Sequence, residues 1–270
     1  GYNMSSAIAD ILDNSIAADS KKIEIYSPPG LVEPLISILD NGYGMGAEEL
    51  IESMRIGCKD PSVERVKGDL GRFGSGMKTA SFSQAKRLTV ISKKSGESVV
   101  AAVWDIDKIE ETNSWCLEVL DKHEISLIPA IQIGTETEQG TQLVWEKLTC
   151  LQASSHALDH DTELASHLSD LNQYIALHFH RFMEGKSKCV FYLNNQKIVP
   201  IDPFMTMSDG YQEGRSEKLR CKGGYIQIQT HVLPHFNRMN KKDMERLGGA
   251  SGITQNQGLY IYREGRLINA

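Results

Sequence analysis

Two acids and an amide lie close together near the start of the chain. Asp10 and Asn14 are four residues apart in a stretch of helical periodicity, so their side chains project from one face, with Asp13 beside them. An amide oxygen suits Mg²⁺, which usually keeps several waters and bridges phosphates. A carboxylate one turn earlier can polarise a water against a terminal phosphate. The same residues also fit the exposed side of an amphipathic helix, and both interpretations stay open.

A second acid ends a short apolar run. Asp40 is followed by Asn-Gly-Tyr-Gly, with Gly42 and Gly44, and then by Met45. A carboxylate at the end of a strand can accept a hydrogen bond from the amino group of adenine. Glycines beside it let a base approach the backbone without meeting a Cβ. Asp-Asn-Gly is also a common turn, so this segment alone does not decide between the two.

A glycine-rich segment opens the next predicted helix. Its residues are Gly71, Arg72, Phe73, Gly74, Ser75, Gly76, Met77 and Lys78. Free backbone amides at a helix start can face an anion, and the ammonium of Lys78 can reach a terminal phosphate. The spacing differs from the Walker pattern, and a glycine-rich turn without phosphate is the alternative. Together, the three segments indicate a site for ATP and Mg²⁺.

The composition fits a globular protein with a real core. The 270 residues are 40% hydrophobic and 24% charged, and no apolar run approaches the roughly 20 residues of a membrane helix. Five scattered cysteines without a C-x-x-C pair argue against a zinc site and a disulfide framework. We therefore expect a cytoplasmic protein without membrane contact.

The net charge of −6 gives no global attraction for nucleic acid. A contact with DNA would have to use local basic clusters, each of which also fits a solvated surface. The candidates are Lys186 with Lys188, the set Lys218, Arg220 and Lys222, and the set Arg238, Lys241 and Lys242.

Periodicity predicts an α+β protein. Helices are predicted over residues 3–18, 47–55, 75–85, 161–183 and 241–247. Strands are predicted over residues 22–26, 35–39, 88–92, 98–106, 115–120, 142–145, 225–232 and 258–262, with loops over 57–71 and 134–140. Residues 189–199 predict a hairpin that turns at Asn194 and Asn195. We expect a mixed domain over 1–150, a connecting helical segment over 151–187 and a second unit over 188–270.

In order and spacing, the three segments resemble the GHKL ATPases, the superfamily of gyrase, the ninety-kilodalton chaperone, histidine kinases and MutL. Residues 10–14 match its N-box, 40–44 its D-x-G-x-G box, 71–76 its lid hinge and 140–141 its last nucleotide-side box. The resemblance covers about residues 3–145. It implies the Bergerat fold, a two-layer α/β sandwich with a mixed sheet covered by helices.

The resemblance also implies residue roles. Asn14 would hold Mg²⁺, Asp40 and Thr141 would contact adenine, and residues 71–78 would wrap the phosphates, with Asp10 and Lys78 serving catalysis. Gly57-Cys-Lys59 followed by residues 71–78 is most similar to the Microrchidia (MORC) branch and its bacterial relatives, in which lysines at both positions approach the triphosphate.

The second unit resembles the transducer domain that follows the ATPase in MORC and MutL proteins. The residues that carry this are the hairpin at Asn194 and Asn195, the run Asp202-Pro-Phe, and the strand-like residues 258–268. We expect this domain to be incomplete at residue 270.

One position departs from the family pattern. Where these ATPases usually carry glutamate, Asp10 is shorter by one methylene, which predicts slow hydrolysis. The expected function is Mg²⁺-dependent binding of ATP and ADP, with lid closure, an ATP-bound homodimer and a DNA-linked role in restriction, defence or a chromatin-like system. The alternatives are a nucleotide-binding regulatory module without turnover and a chaperone-like protein. A histidine kinase would need a phospho-accepting histidine before residues 10–14, and only a few residues of this sequence precede them.

Overall fold

The computed structural model describes most of the chain. The described residues are 2–55, 76–128, 131–133, 137–151, 157–185, 188–222, 224–239, 241 and 257–269, without the side chains of 157–159 and 236. They form two compact units. The first contains Gly1–Ile175 and Phe182–Ile198, and the second contains Ala176–Arg181 and Val199–Ala270.

Six helices and eight strands are described up to residue 197. The helices are α1 (Met4–Ala17), α2 (Ala47–Met54), α3 (Gly76–Phe82), α4 (Ile106–Thr112), α5 (Lys122–Ser126) and α6 (Ala157–His178). The strands are β1 (Lys22–Tyr26), β2 (Ile36–Asp40), β3 (Ala85–Lys93), β4 (Val100–Asp105), β5 (Glu118–Val119), β6 (Gly140–Leu148), β7 (Val190–Leu193) and β8 (Gln196–Lys197).

These eight strands form one mixed sheet in the order β5-β4-β3-β6-β2-β1-β7-β8. Strands β1 and β7 are parallel, and the other neighbours in the sheet are antiparallel. Helices pack against this sheet, as when the indole of Trp145 on β6 donates a 2.9 Å hydrogen bond to Ser81 on α3. The α+β prediction and the Bergerat architecture are confirmed.

Helix α1 forms where its apolar spacing predicted it. Ile8, Ile11 and Leu12 are at most 1% exposed, and burial of each such side chain contributes roughly 1.5–3 kcal/mol. At the start of the helix, the side chain of Asn3 accepts a 2.8 Å hydrogen bond from the backbone of Ser6, and the Ser6 hydroxyl accepts one from the backbone of Asn3. This reciprocal cap fixes the first residue of a helix that carries candidate site residues.

The hairpin predicted over residues 189–199 is present, and Asn194 and Asn195 take left-handed backbone angles at its turn. Strand β7 pairs with β1 and extends the first sheet. The buried ring of Phe191 and the parallel ladder hold this hairpin in the first unit. The transducer-like character of the second unit stays a prediction.

The second unit contains two small antiparallel sheets. Strands β9 (Gln212–Cys221) and β10 (Gly224–Val232) form one, and β11 (Ile261–Arg263) and β12 (Arg266–Asn269) form the other. A small core packs Met205 and Met239 with partly buried neighbours. Strand β9 was not predicted, because its polar sequence lacks the alternation on which strand prediction depends.

Other boundaries also differ from the predictions. Helices α4 and α5 were missed because each is short, although Asp105 and Asp121 cap them. The strand expected over 115–120 shortens to β5, and the long helix lies at 157–178 instead of 161–183, with a 3₁₀ turn at His180–Phe182. The loop over 57–71 and nearly all of the helix over 241–247 lie outside the described residues. In the described part of the chain, no helix has the length and apolar character to cross a membrane.

Candidate functional site

Asp40 ends β2 inside a cage of hydrogen-bond donors. Its side chain is 4% exposed. The hydroxyls of Ser15 and Ser20 donate to its two oxygens at 2.9 and 3.1 Å, and the backbone of Gly42 donates at 2.9 Å. Burial raises the pKa of Asp40 above the ordinary 3.8, although these donors and the backbone of Thr141 act in the opposite direction. The donors fix the carboxylate in place, while its burial makes it easier to protonate than an exposed aspartate.

Thr141 lies directly across from Asp40. The two residues are partners in the register of β2 and β6. A buried hydroxyl, that of Ser92 on β3, holds this end of the sheet together: it accepts from the backbone of Met45 at 2.8 Å, donates to the carbonyl of Gly140 at 2.9 Å and lies 2.9 Å from the hydroxyl of Thr141. The two residues expected to contact adenine are therefore neighbours on adjacent strands.

Close backbone packing explains the glycines here. A Cβ on Gly44, where φ is +67°, would lie 2.0 Å from the carbonyl oxygen of Lys93. A Cβ on Gly42 would lie 2.7 Å from the backbone oxygen of Ala18, and one on Gly140 would lie 2.0 Å from that of Asp40. Each substitution would force backbone to move. The sequence argument attributed Gly42 and Gly44 to the approach of a base, whereas the fold itself already requires both.

Helix α1 connects the other predicted segments to Asp40. Ser15 on this helix bonds to Asp40, and a Cβ built on Gly76, at the start of α3, would lie 3.7 Å from a carboxylate oxygen of Asp10. The hydroxyl of Tyr2 donates a 2.9 Å hydrogen bond to Asp10, and Asn14 is exposed. Segments separated by up to 66 positions thus meet around one helix.

Lys78 is placed differently from the expectation of a free ammonium near phosphate. Its side chain is 3% exposed. The ammonium donates to the carbonyls of Ser53, at 2.7 Å, and Arg55, at the C-terminal end of α2. The indole of Trp104 donates to Met54 in the same turn at 3.0 Å. A cation is favourable at a helix C-terminus, so Lys78 stabilises α2 in this arrangement.

The role of Lys78 gives a prediction about stability. Lys78→Met removes the charge and the hydrogen bonds to Ser53 and Arg55, which leaves these partly buried carbonyls without that donor. We expect the free energy of unfolding to fall by about 1–3 kcal/mol, measured by urea titration. Lys86→Met is the matched control, because the ion pair of Lys86 with Asp107 is partly exposed to solvent and contributes little. Equal losses in both variants would contradict the capping role.

Several predicted phosphate-binding residues lie outside the described part of the chain. They are Lys59, Gly71, Arg72, Phe73, Gly74 and Ser75. Gly76 and Met77 are described at the start of α3 and are partly buried.

Sequence reasoning missed four polar residues that hold the site. Ser15, Ser20 and Ser92 bond as described above, and the side chain of Asn41 accepts from the backbones of Lys21 and Lys22 at 2.8 and 2.9 Å. Ser15 gave one usable signal, since it falls on the buried side of the α1 pattern, next to Ile11 and Leu12. Ser92 gave none, because its partners come from distant parts of the sequence.

The described residues of the site offer few protein ligands to a metal ion. Among the described residues, no group of three or more histidine, cysteine, aspartate or glutamate side chains is placed to hold a metal ion. The exposed amide of Asn14, one turn from Asp10, fits Mg²⁺ only where phosphate oxygens and water supply the remaining ligands. That is the usual manner of magnesium binding in a nucleotide complex.

The family model for the Histidine kinase-, DNA gyrase B-, and HSP90-like ATPases matches residues 2–141. The chain belongs to this family. The match contains α1, the end of β2, α3 and the start of β6, which carry the described candidate residues. Membership in this GHKL family implies ATP binding, and its members are usually ATP hydrolases.

Curated relatives match about a third of the chain. An ATPase morc-1 of Caenorhabditis elegans is 30% identical over 91 residues, or 34% of this chain, and an ATPase MORC2B of Mus musculus is 31% identical over 93 residues, or 33%. A chaperone protein HtpG of Rickettsia canadensis (strain McKiel) is 32% identical over 109 residues, or 37%. The matches span only 10%, 9% and 17% of those proteins. The chain is thus a member of the GHKL ATPase family with distant MORC homologues.

Proposed function

We propose that this GHKL chain binds ATP with Mg²⁺ between α1, the end of β2 and the start of α3, and hydrolyses the nucleotide slowly. The observation that carries the proposal is the double contact of α1, which bonds to Asp40 through Ser15 and approaches Gly76 through Asp10. The carboxylate proposed to contact adenine and the carboxylate proposed to activate water at the terminal phosphate are therefore both connected to α1.

Four of the described residues have proposed tasks. Asp40 accepts a hydrogen bond from the adenine amino group, and its cage of donors keeps it in place for that contact. Thr141 contacts the base from the neighbouring strand. Asp10 accepts the proton of the attacking water. Mg²⁺, held by Asn14 and the phosphates, would neutralise phosphate charge.

We further propose that bound ATP favours a closed form in which residues 57–71 cover the phosphates and two chains associate. These residues lie outside the described part, so the family resemblance alone supports this step. ATP can drive closure only if it binds the closed form more tightly than the open one. From the resemblance of the sequence motifs to MORC-type proteins we also propose a DNA-linked setting, in restriction, defence or a chromatin-like system.

The second candidate function is a regulatory module that binds nucleotide without turning it over. Two features of Asp10 favour it. The side chain is a methylene shorter than the usual glutamate, and one of its oxygens already accepts a hydrogen bond from Tyr2. The oxygen that Tyr2 occupies is less available to an attacking water. A chaperone-like role, suggested by the HtpG relative, has no support in the described geometry.

A titration of oligomeric state tests the proposal. We expect wild-type chain to shift from monomer to dimer as ATP and Mg²⁺ are added, measured by light scattering after size exclusion. Asn14→Ala should weaken Mg²⁺-dependent ATP binding about tenfold or more and abolish the shift. Asn172→Ala makes the same change on the exposed side of α6 and serves as the matched control. Dimerisation that does not depend on added nucleotide would contradict the proposed ATP-driven association.

A further inference from the structure

One face of the β9–β10 hairpin collects basic side chains. Residues directly opposite in an antiparallel pair project to the same face, and so do residues two apart. Arg220 pairs with Tyr225, and Lys218 pairs with Gln227. These four side chains therefore share a face, with Lys222 in the turn that follows.

The acids of the hairpin lie away from these cations. Glu217 pairs with Ile228 and projects to the other face. Glu213 pairs with His231 beyond the irregularity in the register, five positions before Lys218. Between Lys218 and Lys222, the basic face therefore carries positive charge alone. The face with Glu217 also carries Leu219 and Ile226, whose apolar side chains offer nothing to a phosphate. The basic face therefore complements an anionic backbone locally, despite the net charge of −6.

The aromatic ring on this face decides which anion fits. Tyr225 is 72% exposed and lies across from Arg220. An exposed ring beside cations is the arrangement on which unpaired bases stack while lysine and arginine neutralise the phosphates. Bases in a duplex are already stacked on each other and cannot use the ring in this way.

The amides on the same face are held within the hairpin. The side chain of Gln227 donates a 2.9 Å hydrogen bond to Ser216, and that of Gln229 donates to the carbonyl of Gly214. Since these donors are engaged locally, they are poorly placed to distinguish one base from another. The face is therefore suited to binding without strong sequence preference.

We propose that the face formed by Lys218, Arg220, Lys222 and Tyr225 binds single-stranded nucleic acid. The strand runs along the hairpin with its phosphates against the cations and a base against Tyr225. The inference rests on the DNA-linked role proposed above, whose partner it specifies, and it does not require ATP to bind.

Binding of a fluorescent single-stranded oligothymidylate to the whole chain, followed by anisotropy without nucleotide, tests this inference. We expect binding that weakens with salt. The double variant Lys218→Gln with Arg220→Gln should reduce the slope of log affinity against log salt by about 1.4, at about 0.7 for each phosphate that is no longer neutralised. Tyr225→Leu should weaken binding about tenfold or more with the salt slope unchanged.

Arg215→Gln is the matched control for Arg220→Gln, because it removes one arginine from the same strand. Arg215 lies at the irregularity in the register, five positions before Arg220 and away from Tyr225. Equal weakening by these two changes would overturn the proposal, as would duplex DNA that binds as tightly as the single strand, or the absence of salt-dependent binding. Calorimetry of ATP binding on the same preparations separates the outcomes: loss of oligonucleotide binding alone removes this inference, and loss of ATP binding alone removes the nucleotide site.

Discussion

Asp10→Asn is expected to slow ATP hydrolysis by about 10²- to 10⁴-fold while ATP affinity stays nearly unchanged. The amide keeps the size of the carboxylate but cannot take a proton from water. Because Asp10 stands beside Gly76 at the start of α3, its side chain is close to where the terminal phosphate is proposed to lie. Steady-state phosphate release measures the rate, and isothermal titration calorimetry measures the affinity.

Asp10→Glu is the informative partner of that variant. It restores the methylene that this chain lacks at the position, and we expect turnover to rise above that of wild type. Asp170→Asn, on the exposed side of α6, is the control for the amide substitution and should leave both quantities unchanged. If Asp10→Asn hydrolyses ATP at the wild-type rate, Asp10 is not the base. If neither protein hydrolyses ATP measurably, the result supports the regulatory module that binds nucleotide without turnover.

Asp40→Asn is expected to weaken ATP binding by about 10- to 100-fold, which corresponds to the loss of one hydrogen bond to a charged acceptor. The substitution also replaces one acceptor oxygen with an NH₂ donor inside a cage built of donors, so part of the cage loses its acceptor. Fluorescence titration with a labelled ATP analogue measures the loss. Asp105→Asn is the control. Asp105 is equally buried, but it pairs with Arg87, at the end of β3 and β4 that lies away from Ser92 and Asp40.

The pH dependence of binding provides a second readout for Asp40. Burial raises its pKa above 3.8, so on acidification Asp40 takes up a proton earlier than an ordinary aspartate would. Wild-type affinity should therefore fall as pH falls through the raised pKa, and this part of the pH dependence should vanish in Asp40→Asn. Phosphate protonation of ATP affects both proteins equally. Identical pH profiles for the two would show that the carboxylate does not contact the base.

Local features of the site were predictable because they depend on neighbours in the sequence. The spacing of Ile8, Ile11 and Leu12 determines which side of α1 is buried. Consecutive asparagines at 194 and 195 supply the left-handed turn of the β7–β8 hairpin. The order of the three polar segments also sufficed for the family resemblance that the profile match supports.

Contacts between distant segments could not be predicted in the same way. The sequence suggested that Lys78 reaches phosphate, but its ammonium is bound by carbonyls at the end of α2, about 25 residues away. Strand β9 has almost no apolar pattern, and hydrogen bonding to β10 makes it a strand. The buried hydroxyl of Ser92 became part of the site only through its contacts with Met45 and Gly140.

The amino-acid sequence by itself determined the helix that carries Asp10 and Asn14, the turn after Asp40 and the family to which the chain belongs. Each of these follows from periodicity, from local turn chemistry or from the order of short motifs. Only the tertiary structure decided that Ser15 and Ser20 hold Asp40, that β7 pairs with β1 and that Lys78 caps α2. The reason is physical: such contacts depend on which surfaces the packed core brings together, and many different pairings would satisfy the same local preferences.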